Sequence, residues 1–180
     1  MSLSWSGGEE TDRAPIDFSV DRWWSADDDP ADLFINLTRK LCDHLEISRG
    51  ILIVRDEFGA RLVAVSTFED GCIRKNLSLQ VPESSSFFEH VAGDGRPFTD
   101  EYYGMFSGNS FEKRLLLGDD TRSYAILPLN HDGKIVGLLA LSSAEPAAFA
   151  TVEEGFLGNI ADKLAAHINR QLNQPDGTSY

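Results

Sequence analysis

The stretch Tyr124–Ser143, YAILPLNHDGKIVGLLALSS, decides the fold. Two apolar runs flank a polar turn at His131, Asp132 and Gly133, and Asp-Gly supplies the unusual backbone angles that a tight hairpin needs. The second run, Ile135 to Leu141, is apolar almost without alternation, as in a central strand covered on both faces; periodicity alone leaves a buried helix open. The segment that follows settles the choice. Thr151 with Glu154 three residues on forms a capping box, and an amphipathic pattern then runs to about Leu172. A central hairpin feeding a long final helix is an architectural signature of a sensor or binding domain, and it leaves the ligand unnamed.

Upstream of the hairpin, residues 101–120 (EYYGMFSGNSFEKRLLLGDD) are irregular and rich in aromatics, with Gly104 and Gly108 as hinges and Phe111 to Leu117 as a possible helix. Long irregular segments in compact domains are disproportionately functional, so this one is a candidate ligand lid. The plainer alternative is a cover that only seals one face of the sheet. Arg96 to Asp100 reads as a short strand or extended link, and Ser84 to Ser86 cap a short helix that runs to about Ala92. Before it, Gly50–Arg55 and Arg61–Thr67 make a second hairpin, and Ile73–Val81 is a further extended run that stops at Pro82.

The first helix has a clear start, with Asp29 as N-cap, Pro30 at the first helical position and Asp32 near the positive end of the dipole. Leu33, Leu37, Leu41 and Leu45 then recur every fourth residue, with Phe34 and Cys42 broadening the apolar stripe. Residues 1–28 form an acidic, mostly irregular tail in which Trp23 and Trp24 are expected to dock on the domain or on a partner subunit. The domain is expected over 29–173, followed by a polar tail at 174–180.

Composition narrows the functional classes. The 180 residues carry a formal net charge of -13 with 42% hydrophobic residues, so the chain fits one globular domain whose surface repels phosphate backbones and anionic lipid. Direct nucleic-acid binding is not expected. No run approaches the ~20 apolar residues of a membrane span. Cys42 and Cys72 are the only cysteines, they stand outside any metal-spaced cluster, and a reducing cytoplasmic location follows as the default.

The order of elements is helix, hairpin, strand, short helix, link, irregular segment, hairpin, helix. Carried by Leu33–Asp56 (LFINLTRKLCDHLEISRGILIVRD), Gly95–Asp100 (GRPFTD), Ser123–Ser143 and Phe149–Leu172 (FATVEEGFLGNIADKLAAHINRQL), this order resembles a GAF domain, the small-molecule sensory module related in fold to PAS domains. The resemblance covers about residues 30–172. It implies an α+β fold with a central antiparallel sheet of about six strands, terminal helices on one face and a ligand pocket on the other. It also implies a homodimer through the terminal helices, for which the first helix offers a second apolar stripe, and transmission of ligand state to an output partner.

The family's better-known ligand signatures are missing. The asparagine-lysine, phenylalanine and aspartate-glutamate pattern of cyclic-nucleotide binders has no counterpart, and the nearest fragment, Asn109 to Lys113, lacks the spacing. Neither the cysteine-histidine pair nor the Asp-Ile-Pro segment of bilin-binding members is present. The four histidines read as helix-surface, helix-end or turn residues rather than haem ligands. Methionine sulfoxide reductase chemistry needs an activated thiolate and a resolving cysteine, whereas residues 73–180 contain none. Carboxylate pairs such as Asp119-Asp120 are sequence neighbours that need not converge.

The expectation is therefore a non-catalytic sensory domain that binds an unidentified small molecule beneath residues 98–118. No cofactor or metal is named by any motif. The candidate ligand-binding residues are Phe98, Tyr102, Tyr103, Phe106, Phe111, Arg114 and Tyr124, the aromatics for contact area and Arg114 or Arg122 for a carboxylate or phosphate. The competing expectation is a dimerisation or docking module whose pocket is filled by its own side chains.

Overall fold

The computed structural model describes residues 29–55, 62–69, 71–81, 91, 98–100, 108–150, 152 and 154–172. The tryptophan-bearing tail, the turn at 56–59, most of the short helix expected at 84–92, the segment 101–107, Thr151 and the C-terminal tail lie outside these residues. The elements in chain order are α1 (Pro30–Cys42), β1 (Arg49–Arg55), β2 (Leu62–Glu69), β3 (Cys72–Val81), β4 (Phe98–Asp100), α2 (Ser110–Leu116), β5 (Ser123–His131), β6 (Lys134–Ser143) and α3 (Glu154–Leu172).

The six strands form one sheet in the order β3-β2-β1-β6-β5-β4, and every adjacent pair is antiparallel. Both expected hairpins form, β1 with β2 and β5 with β6. The β5–β6 turn is closed by Asp132 at φ 50° and Gly133 at φ 75° between the paired residues His131 and Lys134. These angles match a two-residue type I′ turn, whose twist suits the flanking strands.

The two hairpins meet at the seam between β1 and β6, where Ile53 faces Leu138 and Val54 faces Gly137. Arg55 Nε donates to the Ile135 carbonyl across it at 2.7 Å. Gly137 has no room for a side chain, because a Cβ there would sit 2.4 Å from the Ile53 carbonyl oxygen. The β5–β6 register shifts after Leu129, which pairs with Gly137 while Asn130 pairs with Ile135. Val136 is thus the extra residue of a bulge.

β1 and β6 are buried on both sides, which explains why their sequences barely alternate. Leu52, Val54, Ala125, Leu127, Leu129, Leu139 and Leu141 point to one face, beneath α1 and α3. Ile51, Ile53, Tyr124, Ile126, Leu138 and Ala140 point to the other. α1 lies chiefly across β2 and α3 chiefly across β5. Asp29 caps α1 by accepting from the Ala31 amide at 2.8 Å, with Pro30 in the first turn as expected. Leu33, Phe34, Leu37 and Leu41 are all buried on the sheet. Leu45, the fourth leucine of that row, is also buried, although the helix has already ended at Cys42.

In α3, Phe156, Ile160, Leu164 and Ile168 together with Leu157, Ala161 and Ala165 form a broad buried arc. Each Phe, Leu or Ile side chain of this arc contributes about 1.5–3 kcal/mol by leaving water. The apolar side of the amphipathic final helix is therefore used within the chain. So is the α1 stripe that was expected to offer a second contact surface, and the outward positions Asn36, Arg39 and Lys40 are polar. One histidine departs from the surface expectation: His167 is buried, because it lies on the edge of the α3 arc beside the Phe156–Ile160 row, and its Nε2 is 3.3 Å from Gln171 Nε2.

Candidate functional site

The second face of the sheet is built differently. Over Ile51, Ile53, Tyr124, Ile126, Leu138 and Ala140, the described cover consists of Val91, Leu116 and Leu117, with Leu115 and Ile135 partly buried beside them. Leu116 and Leu117 belong to α2 and its C-terminal cap, the part of the aromatic segment that folds as the expected helix.

Seven residues are too few for a helix to persist on propensity alone. α2 instead gains its order at both ends. At its start Asn109 accepts from the Glu112 amide at 2.9 Å, and the Glu112 carboxylate accepts from the Asn109 amide at 2.6 Å, a reciprocal capping box. Glu112 is only 3% exposed. At its end the Leu117 carbonyl accepts two hydroxyls, Thr121 Oγ1 at 2.5 Å and Ser142 Oγ at 2.9 Å. Gly118 follows at φ 84°, where the chain turns away from the helix.

Arg49, the first residue of β1, reaches the same corner. Its Nη1 meets Glu69 Oε1 at 2.6 Å and its Nη2 donates to the Leu115 carbonyl at 3.2 Å. The side chain is 17% exposed, and Nε is buried without a hydrogen-bond partner among the described residues. An unpaired buried donor of this kind costs about 1–3 kcal/mol. Beside this corner, Ser123 Oγ donates to the Glu145 carbonyl and accepts from the Ala148 amide, while Ser143 Oγ accepts from the Glu145 amide. These bonds tie the β6–α3 connection to the end of the sheet. Ala147 in that connection adopts φ 56°, a left-handed conformation that is strained for a residue with a Cβ.

The seven candidate ligand residues fall into three groups. Tyr124 is on the second face and fully enclosed, at 0% exposure. Phe98 stands opposite Ile126 in the β4–β5 register, which places its backbone at the margin of that face. Phe111 is 50% exposed on α2, and Arg114 projects outward with its side chain 81% exposed, 4.0 Å from the similarly exposed Asp119. Tyr102, Tyr103 and Phe106 lie outside the described residues. Arg122, the alternative anion partner, is exposed beside β5.

Glu112, Arg49 and Ser142 were not singled out from the sequence. The capping box was legible as Asn109-x-x-Glu112, a standard N-terminal signature. Arg49 had no comparable signal, because a cation before an apolar strand ordinarily points to solvent.

Among the described residues no group of three or more His, Cys, Asp or Glu side chains is placed to hold a metal. Cys42 lies at the edge of the helix-covered core, its Sγ 3.9 Å from the Ile47 carbonyl, and burial with the neighbouring Asp43 pushes its thiol up. That shift disfavours the thiolate needed for attack. Cys72 is exposed at the start of β3. His131 sits 3.6 Å from Asp132 in the hairpin turn, a contact between turn neighbours. No helix among the described residues is long and apolar enough to cross a membrane.

Comparisons with known proteins agree with this architecture. The family model for the GAF domain matches residues 29–168. The GAF domain from a phosphoenolpyruvate-protein phosphotransferase of Coxiella burnetii superposes with a TM-score of 0.64 at 21% identity, covering 79% of this chain and 83% of that one. The GAF domain of a two-component sensor histidine kinase from Bacillus halodurans gives 0.59 at 18% identity, covering 78% and 94%. Free methionine-R-sulfoxide reductase from Neisseria meningitidis, solved in complex with its substrate, gives 0.57 at 19% identity, covering 81% and 83%. At these identities the likeness concerns the fold alone. No curated protein sequence matches the chain.

Proposed function

The chain belongs to the GAF domain family, and from that premise we propose that it is a non-catalytic sensory module binding a small molecule on the second face of its sheet, beneath residues 98–118. The observation that carries this reading is the unequal closure of the two faces. One is sealed by two amphipathic helices; the other is covered, among the described residues, by Val91 and the C-terminal end of a seven-residue helix. Tyr124 on this face, with Phe111 and Arg114 on the helix that lies over it, gives the face both aromatic and cationic groups of the kind a small-molecule site uses.

In this reading Phe98, Tyr102, Tyr103, Phe106, Phe111 and Tyr124 supply contact area. Arg114, free to swing on the exposed side of α2, supplies a cation for a carboxylate or phosphate. Because β5 carries Tyr124 on one face and Ala125 and Leu127 under α3 on the other, a shift of that strand on binding moves the helix layer directly. The outer faces of α1 and α3 are then the surfaces through which a dimer or an output partner is engaged. They present Asn36, Arg39 and Lys40 on one helix and Gly155, Asn159, Asp162 and Arg170 on the other. The cysteine pattern and acidic surface suit a cytoplasmic setting without nucleic acid or lipid as partner.

The test is a thermal-shift and native mass spectrometry screen of nucleotides, amino acids and carboxylates against the chain and its Arg114→Ala and Tyr103→Ala variants. A specific ligand at a hundredfold excess over its Kd adds about 2.7 kcal/mol to stability, and both variants are expected to reduce that gain. Binding unaffected by either variant refutes the site. A second reading, an interaction module with a self-filled pocket, is favoured by the complete burial of Tyr124 and Ile126; absence of any ligand shift together with self-association would establish it. A thiol reductase reading is disfavoured because Cys42 borders the helix-covered core, across the sheet from the proposed site. Turnover of free methionine sulfoxide would restore it.

A further inference from the structure

We propose that Arg49 is a positioning residue that latches α2 onto the second face, with Leu117 and Gly118 as the pivot about which that helix docks and lifts. One side chain connects three elements. It leaves the first position of β1, pairs through Nη1 with Glu69 at the last position of β2, and donates through Nη2 to the Leu115 carbonyl in the final turn of α2. Two strands and the covering helix therefore share a single guanidinium, whose planar fork can serve two acceptors at once.

The pivot is held independently of the latch. Ser142 on β6 and Thr121 both donate to the Leu117 carbonyl, so the C-cap stays attached to the sheet when Arg49 lets go. Gly118 supplies the turn, and a Cβ there would lie 3.1 Å from Arg49 Cδ. Glycine thus serves both the left-handed backbone and the passage of the arginine stem. Beyond the pivot, α2 carries its own order in the Asn109–Glu112 capping box, and moves as a formed helix.

The latch also has a built-in counterweight. Arg49 Nε is buried without a partner among the described residues while α2 is docked, and lifting the helix admits water to it. Against the one hydrogen bond that Arg49 gives α2, the docked state keeps one orphaned donor among the described residues. That combination suits a cover with two positions rather than a fixed wall. The latch stands whether or not a ligand occupies the second face, so its test uses the unliganded protein and fails separately from the proposed function.

The test is amide hydrogen exchange resolved to α2 (Lys113–Leu117), α3 and β5 in the full chain and in Arg49→Met, Arg49→Lys and Glu69→Gln. Arg49→Met is expected to speed exchange in α2 about tenfold, as loss of one charge-assisted hydrogen bond would, while α3 stays within about twofold. Arg49→Lys should fall between the two, since an ammonium reaches one acceptor at a time. Raising NaCl to about 0.5 M should speed α2 exchange in the unaltered chain but not in Arg49→Met. Unchanged exchange in α2, or an equal rise in α2 and α3, overturns the latch. If Arg49→Met does not fold, Glu69→Gln and the salt series decide: an increase confined to α2 supports the latch, and no increase in either refutes it.

Discussion

On one face of the sheet, α3 presses Phe156, Leu157, Ile160, Ala161, Leu164, Ala165 and Ile168 against β5 and β6, and α1 adds Leu33, Phe34, Leu37 and Leu41. On the other, among the described residues, α2 contributes Leu115, Leu116 and its cap Leu117, together with hydrogen bonds at its C-terminal end from Arg49 and Ser142. The same strands serve both faces, so the difference lies in the covers. Apolar area holds a helix whatever its exact pose, whereas hydrogen bonds hold it in one pose and release it once a partner moves. The first face stores the stability of the domain. In the proposed latch, the second keeps a surface that can be opened.

Substitutions on each face measure this difference. Leu164→Ala in the helix layer is expected to cost about 2–5 kcal/mol, because the arc around it cannot collapse into the gap. A urea-denaturation midpoint gives the value. Gly137→Ala acts on the sheet that both faces share: its Cβ would meet the Ile53 carbonyl at 2.4 Å, and parting the β1–β6 seam is expected to cost about 3 kcal/mol. Leu116→Ala should cost only about 1–2 kcal/mol, since a short cover can settle over the missing atoms. A loss equal to that of Leu164→Ala would erase the contrast between the faces.

Two smaller effects sharpen it. Asn109→Ala removes half of the capping box and is expected to lower stability by about 1 kcal/mol, with the increase in amide exchange confined to α2. Ala147→Gly releases a left-handed alanine between β6 and α3. It should raise stability by about 0.5–1 kcal/mol, the relief of strain exceeding the added chain entropy. A drop in melting temperature would instead mean that the alanine methyl group has a packing role.

Much of the first face was legible because its signals are periodic. Asp29-Pro30 announced α1, the four-residue leucine spacing announced its buried arc, an amphipathic pattern announced α3, and Asp132-Gly133 announced the central hairpin. The second face depends on contacts between residues far apart in the chain, such as Arg49 with Leu115 and Ser142 with Leu117, which leave no period to read. Aromatic density led to Phe111, yet its ring is half exposed, because the capping box turns Glu112 rather than Phe111 inward. His167 was misread for a related reason: one polar residue at the margin of an apolar arc looks like surface until the width of the arc is known.

The seam between β1 and β6 has a consequence for how the chain reaches its structure. Each hairpin is local and can form early, but their junction links residues as far apart as Arg55 and Ile135, 80 positions along the chain, and Ser48 and Ser142, 94 positions apart. Closing such loops is the slow step in antiparallel proteins. Joining the preformed hairpins at Gly137 is therefore expected to set the folding rate, so Gly137→Ala should slow refolding more than it speeds unfolding. Until the second hairpin has been synthesised, Ile51 to Val54 have no strand on their inner side, and that interval is when the newly made chain is most exposed to pairing with another molecule.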